Sequence, residues 1–314
     1  MSRQTTSPLR HIDTSFASYV ARRKSAESEH MAGGVPDYAF ALDYELRSQL
    51  MKIPYFHSIC KKINATLETR EAQFFNQKAV AAGPNQFPDI YKMGVDCAHR
   101  LGIGVPNIFV YSNPTMNAFT YARDDTSPMI VLFSGIVERM TPGELKCVVA
   151  HECGHIHNQH MVFQNVINVI LNSGGDGLTG MVLSLANLSL MQFWTRAGEV
   201  TADRAALICA DDPQDAVNVN AKLLYGGALN NASQVDLDAL REQLEQTLDN
   251  PTRFYEIYND HPSAVRRIFA DKEFEECEVF YRWRPELKKP GMTVRTKEET
   301  DARCQKLVNI INND

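Results

Sequence analysis

The residues best suited to chemistry in this chain are His151-Glu152-Cys153-Gly154-His155. Two histidines four apart share one face of a helix, one turn above the other. Both imidazoles can therefore bind one Zn²⁺ at about 2.0–2.1 Å. Glu152 is rotated about 100° from His151 and stands beside the metal's open position, where it can take a proton from a zinc-bound water. The H-E-x-x-H spacing is that of a zinc hydrolase. A catalytic zinc also needs a third protein ligand. The best candidate is Glu199, in Arg196-Ala-Gly-Glu199-Val-Thr-Ala-Asp203-Arg204. It follows a long apolar stretch, and the rest of its helix (Ala202, Ala205, Ala206, Leu207) is small and apolar. Asp203, one turn later on the same face, would accept a hydrogen bond from a ligand histidine and fix its tautomer. One Zn²⁺ per chain is expected. His157 and His160 project from the opposite side of the helix and read as ordinary polar or hydrogen-bonded histidines, and Cys153, two residues from each ligand histidine, faces elsewhere and reads as no ligand.

The elements that must position these groups are legible in outline. Thr141-Pro142-Gly143-Glu144 predicts a helix start: Thr141 caps, Pro142 fits the first helical position, and Glu144 reaches back to complete a capping box. That helix is expected to run past His160. Upstream, β-rich runs at 107–111, 117–121 and 129–133 predict a small meandering sheet between helices. Leu42, Leu46 and Leu50 share one helical face, and Phe56, Ile59, Ile63 and Leu67 form a second stripe. A further helix covers 90–101 and is ended by Gly102 and Gly104. Later helices are expected at 196–210, 236–248 and 297–311. Residues 161–195 carry one charge, Asp176, and Ser173-Gly-Gly-Asp-Gly177 splits them into two apolar helices. The second, 178–194, is near the lower length limit for a membrane span and holds Ser184, Asn187, Ser189 and Gln192. A buried or self-associating helical hairpin is favoured over a membrane hairpin.

Hydrophobic residues at 44% and charged residues at 22% fit a soluble globular chain and exclude collagen-like, coiled-coil-only and disordered readings. The net charge of −6 gives no bulk attraction to nucleic acid, which is not expected as a partner, or to an anionic membrane. The 7 cysteines are odd in number, widely spaced and without a C-x-x-C pair, which points to free thiols in a reducing compartment. No apolar signal-peptide run occurs near the N-terminus. A cytoplasmic location follows, with a peripheral or integral place at the cytoplasmic membrane as the alternative. The expected organisation is a flexible arm over 1–37, a catalytic domain over 38–275 and a helical C-terminal extension over 276–314.

Gln86-Phe-Pro88, Asn117-Ala-Phe119, Val131-Leu-Phe-Ser-Gly135, the H-E-x-x-H run, Glu199-Val-Thr-Ala-Asp203 and His261-Pro262 fall in a familiar order. From about Asp43 to Phe269 the chain resembles the HtpX-like and CAAX-prenyl-endopeptidase zinc metallopeptidases, family forty-eight of the metallopeptidases. Where that family usually has leucine or phenylalanine, this chain has Cys153. The resemblance implies an α+β, mostly helical, zincin-like (gluzincin) fold with a small β-sheet beside the active-site helix. It implies a zinc endopeptidase with Glu152 as the base. Asn117, Ala118 and Phe119 would form an edge strand above the zinc that pairs with a peptide or unfolded-protein substrate as an added strand. By its alternation alone, that run also fits an interior strand. His261 would reach the active site, either to stabilise the oxyanion or to occupy the metal's open position at rest, and Arg266 would support the site. By residue type alone, Asp260-His-Pro-Ser263 reads as a turn and N-cap. Two alternatives stand beside this reading: a membrane-associated quality-control protease anchored by 161–195, and a non-catalytic zinc-binding scaffold. Glu152 has no structural need to be present in the scaffold.

Overall fold

The computed structural model describes residues 30–32, 35–52, 74–123, 126–161, 185–227, 235–248 and 263–308. The expected stripe at 56–67 and most of the 161–195 hairpin lie outside them. The fold is α+β and mostly helical. β1 (Met31–Ala32) and β2 (Val35–Pro36) form a two-stranded ribbon, and α1 (Ala41–Leu50) follows. A four-stranded sheet is built from β3 (Ala79–Ala81), β4 (Asn107–Tyr111), β5 (Ala118–Arg123) and β6 (Thr126–Phe133). Between β3 and β4 lies α2 (Pro88–Leu101), which starts on proline and is stopped by Gly102 in the left-handed region at φ 69°.

The sheet is not the expected meander. Its order is β3-β4-β6-β5, and β4 and β6 run parallel, from Asn107 opposite Met129 to Tyr111 opposite Phe133. The cause lies after β4. The backbone of Asn113 exchanges hydrogen bonds with the Ser134 hydroxyl and accepts one from the Gly135 N–H. A Cβ on Gly135 would collide with the Pro114 carbonyl. The chain leaving β4 thus crosses the end of β6 before forming β5, which returns antiparallel to β6 and takes the edge. Successive side chains alternate faces. Ile108, Ile130 and Leu132 enter the main core, while Phe109, Met129 and Val131 pack with Phe75 on the opposite face.

After α3 (Ser134–Arg139), α4 spans Pro142–Asn158 and carries the H-E-x-x-H run. Its capping box forms as expected: Glu144 N–H donates to Thr141 Oγ1 at 3.3 Å and Thr141 N–H donates to Glu144 Oε2 at 2.7 Å. It ends earlier than expected. Gln159 adopts a left-handed conformation, φ 60°, and its N–H caps the carbonyls of His155 and Ile156, so His160 is not on the helix. α5 (Leu185–Cys209) packs against α4. At their crossing a Cβ on Gly154 would stand 2.7 Å from Ala205 Cβ and 3.0 Å from Ala202 Cα. Glycine on one helix and alanines on the other let the backbones approach closely enough for side chains from both to meet.

α6 (Pro213–Tyr225), α7 (Leu237–Leu248), α8 (Ala264–Glu275), α9 (Glu278–Trp283) and α10 (Lys297–Val308) follow along the chain. Cys277, Val279, Phe280 and Tyr281 join the main core with Leu145, Val149 and Ile156 of α4. Among the described residues, no helix is long and apolar enough to cross a membrane.

Candidate active site

His151 and His155 lie one turn apart on α4, and Glu199 faces them from α5. His151 Nε2 is 3.4 Å from Glu199 Oε2, His155 Nε2 is 3.4 Å from Glu199 Oε1, and the two Nε2 atoms are 3.0 Å apart. Two nitrogens bound to one tetrahedral ion at 2.0–2.1 Å stand about 3.3 Å apart. The three donor atoms therefore suit one small divalent cation, and two imidazoles with one carboxylate are a common catalytic zinc set. Glu199 is 1% exposed, and a carboxylate taken so far from water needs cationic partners. Among the described residues, no other group of three His, Cys, Asp or Glu side chains converges in this way.

Each histidine is oriented from behind. His151 Nδ1 donates to Asp203 Oδ1 at 2.9 Å. Arg267 on α8 grips both oxygens of Asp203, with Nε donating to Oδ2 at 2.6 Å, and its Nη1 lies 3.6 Å from Glu199 Oε2. Burial works against the charge on Asp203, but Arg267 and His151 hold its carboxyl below the usual range. Burial likewise disfavours a charged His151, yet Asp203 and Glu199 overcome this and push its pKa up to about 10. Burial pushes that of His155 down. Behind His155, the contact is another imidazole: the two Nδ1 atoms of His155 and His160 are 2.8 Å apart, and His160 Nε2 meets Asp43 Oδ2 at 2.9 Å. Asp43, on α1, also accepts hydrogen bonds from Trp194 Nε1 at 2.8 Å and Thr201 Oγ1 at 2.7 Å.

Glu152 shares a cleft with His151, Glu199 and Asp203. Thr120 on β5 donates its hydroxyl to Glu152 Oε2 at 2.6 Å, which fixes one carboxylate oxygen and ties the edge strand to α4. The cleft encloses about 240 Å³. Asn117 and Ala118 line its strand side, and Ile136, Val148, Ala206, Val219 and Leu223 give it an apolar wall. Phe119 points to the other face of the sheet, among Phe75, Tyr121 and Phe133.

The structure thus brings His151, Glu152, His155, Glu199 and Asp203 together, with Asn117 and Ala118 at the rim. His261 and Pro262 lie outside the described residues. Arg266 sends Nη1 to the carbonyl of Leu307 at 2.7 Å, and the arginine that supports the site is its neighbour Arg267. Thr120, His160 and Asp43 were not foreseen. Asp43 left one trace in the sequence, an acid in register with the apolar positions Leu46 and Leu50, and all three are buried on α1.

The family model described as Peptidase family M48 matches residues 84–274. A chloroplastic protein of Arabidopsis thaliana, the plastoglobule-localized metallopeptidase 48, is 34% identical over 221 residues, covering 67% of this chain. The chain spans 63% of that relative's length. A protease HtpX homolog of Moorella thermoacetica is 23% identical over 228 residues, or 63% of this chain and 76% of that protein. Among solved structures, S. mikatae Ste24p aligns with 82% of this chain and 66% of its own at 17% identity, with a TM-score of 0.40.

Proposed function

The chain belongs to Peptidase family M48, and on that footing we propose that it is a zinc-dependent endopeptidase with one Zn²⁺ held by His151, His155 and Glu199. The observation that carries this reading is the convergence of two imidazole nitrogens and a buried carboxylate on one point, with Glu152 beside it in the same cleft. Zinc bound there would acidify a water and polarise the scissile carbonyl. Glu152, held by Thr120, takes the proton of the attacking water and passes it to the leaving amine. Asp203 and Arg267 keep His151 turned towards the metal position. That Glu152 is held by a dedicated hydroxyl from the edge strand favours an enzyme over a zinc scaffold.

The substrate is a peptide or unfolded protein added as a strand to β5. Support comes from an unusual local bond: Ala118 N–H donates to Oδ1 of the preceding Asn117 at 2.9 Å rather than to β6. A main-chain donor at the cleft rim is thus satisfied by a movable side chain that an incoming strand can replace. The apolar wall suits a hydrophobic side chain of that strand. Nucleic acid is not a partner in this reading. Self-association or membrane contact through 161–195 is the secondary reading. Six buried free cysteines among the described residues support a reducing compartment such as the cytoplasm.

Elemental analysis of purified Glu199→Ala is the first test. Zinc should be lost while the wild type holds one equivalent, and undiminished zinc would remove Glu199 from the ligand set. His261 is proposed to donate to the developing oxyanion. His261→Ala should lower kcat by about 10²–10³ with little change in KM; wild-type kinetics would leave it a turn residue.

A further inference from the structure

The bonds behind His155 have a direction. Resting on the zinc-site reading above, we propose that Asp43 and His160 are positioning residues that hold His155 in the one tautomer able to bind the metal.

His155 turns Nε2 towards His151 and Glu199, so Nε2 is the atom that must offer a lone pair. A neutral imidazole that does so carries its proton on Nδ1. That Nδ1 lies 2.8 Å from His160 Nδ1, which must then accept. His160 is left with its proton on Nε2, 2.9 Å from Asp43 Oδ2, and an ionised carboxylate only accepts. Asp43 is fixed in turn. Trp194 Nε1–H donates to its Oδ1, the Thr201 hydroxyl donates to its Oδ2, and Thr201 Oγ1 receives the Phe40 N–H at 3.1 Å. Asp43 is 4% exposed and His160 1%, so no water competes for these positions. Every proton in the chain therefore points away from the metal, and the carboxylate at its end sets that direction.

The two ligand histidines are thus oriented by two carboxylates: His151 directly by Asp203, His155 at one remove through an imidazole. The intervening imidazole is available because Gln159 turns the chain after α4 and brings His160 behind His155. Asp43 lies outside the 84–274 segment matched by the family model, so the relay joins the metal position to a helix that precedes it.

Asp43→Asn separates direction from shape. An asparagine whose Oδ1 stays on Trp194 turns its amide N–H groups to Thr201 and His160 Nε2. His160 then carries its proton on Nδ1, two N–H groups face each other, and His155 is driven to the tautomer with Nε2 protonated. The experiment is zinc affinity by chelator competition on wild type, Asp43→Asn, His160→Ala, His160→Asn and Glu199→Ala, with the melting temperature of each metal-free protein measured alongside. Asp43→Asn and His160→Ala should each weaken zinc binding about 10–100-fold. His160→Asn, whose Oδ1 can still accept from His155 Nδ1–H, should recover most of the loss. Wild-type affinity in Asp43→Asn and His160→Ala, with zinc lost in Glu199→Ala, would overturn the relay and leave the metal site standing. A wild type that binds no zinc would overturn both. Should the variants fail to fold, ¹⁵N shifts of the histidines in zinc-loaded wild type decide. His160 protonated on Nε2 and His155 on Nδ1 are expected, and His160 protonated on Nδ1 would overturn the proposal.

Discussion

His151 is under opposing demands. As a ligand in the proposed zinc site it would have to give up its Nε2 proton, yet Asp203 and Glu199 raise its pKa from 6.5 to about 10. The raised value means that protonated His151 stabilises the metal-free fold. That contribution is fully present below pH 6.5 and is lost as pH rises towards 10. Zinc must displace the same proton. His155, pushed down by burial, adds no second one. Apparent zinc affinity should therefore rise about tenfold per pH unit between 6.5 and 8.5, as expected when binding releases one proton. Chelator competition at three pH values measures the slope, and a flat profile would show that His151 either holds no proton or is no ligand. The carboxylates that raise the pKa also give the site its attraction for a divalent cation, so the proton marks where the metal competes.

The edge strand β5 serves the site in two ways that a substitution can separate. Thr120 faces inward and holds Glu152, whereas Ala118 offers its N–H at the rim. Ala118→Pro removes that donor at the first residue of an edge strand, where proline is tolerated. It should raise KM about fivefold, the worth of one hydrogen bond near 1 kcal/mol, and leave kcat and zinc content near wild type. An unchanged KM would place the substrate elsewhere. Much of this arrangement was legible before the structure. The cap at Thr141, the spacing of His151 and His155, and the carboxylates of α5 depend on local rules that hold along one helix. What stayed hidden depends on phase and crossing. A single left-handed residue, Gln159, undid the expectation that His160 continues the helix. The parallel pairing of β4 with β6 was set by bonds between Asn113 and Ser134, which no periodicity encodes. Arg266 and Arg267 differ by about 100° around α8, and both are buried, so hydrophobicity gave no phase with which to choose between them.

Seen whole, the molecule assembles one small site from distant parts of the chain: Asp43 from α1, Thr120 from β5, His151, Glu152 and His155 from α4, Glu199 and Asp203 from α5, and Arg267 from α8. Arg204, next to Asp203 on α5, fastens the outer elements onto this centre. It donates to the Tyr38 carbonyl at 3.1 Å, pairs with Asp301 of α10 at 2.7 Å, and lies over the rings of Phe40 and Phe274. In the proposed mechanism all of this converges on a metal position with a base beside it, so metal and activity should rise together. The decisive measurement is hydrolysis of an unfolded protein substrate as zinc is titrated into metal-free protein, run in parallel with Glu152→Gln. Activity should climb in proportion to added zinc, stop at one equivalent per chain, and be absent from a variant that takes up the same equivalent. Full hydrolysis by the zinc-free protein, or near wild-type cleavage by Glu152→Gln, would contradict it.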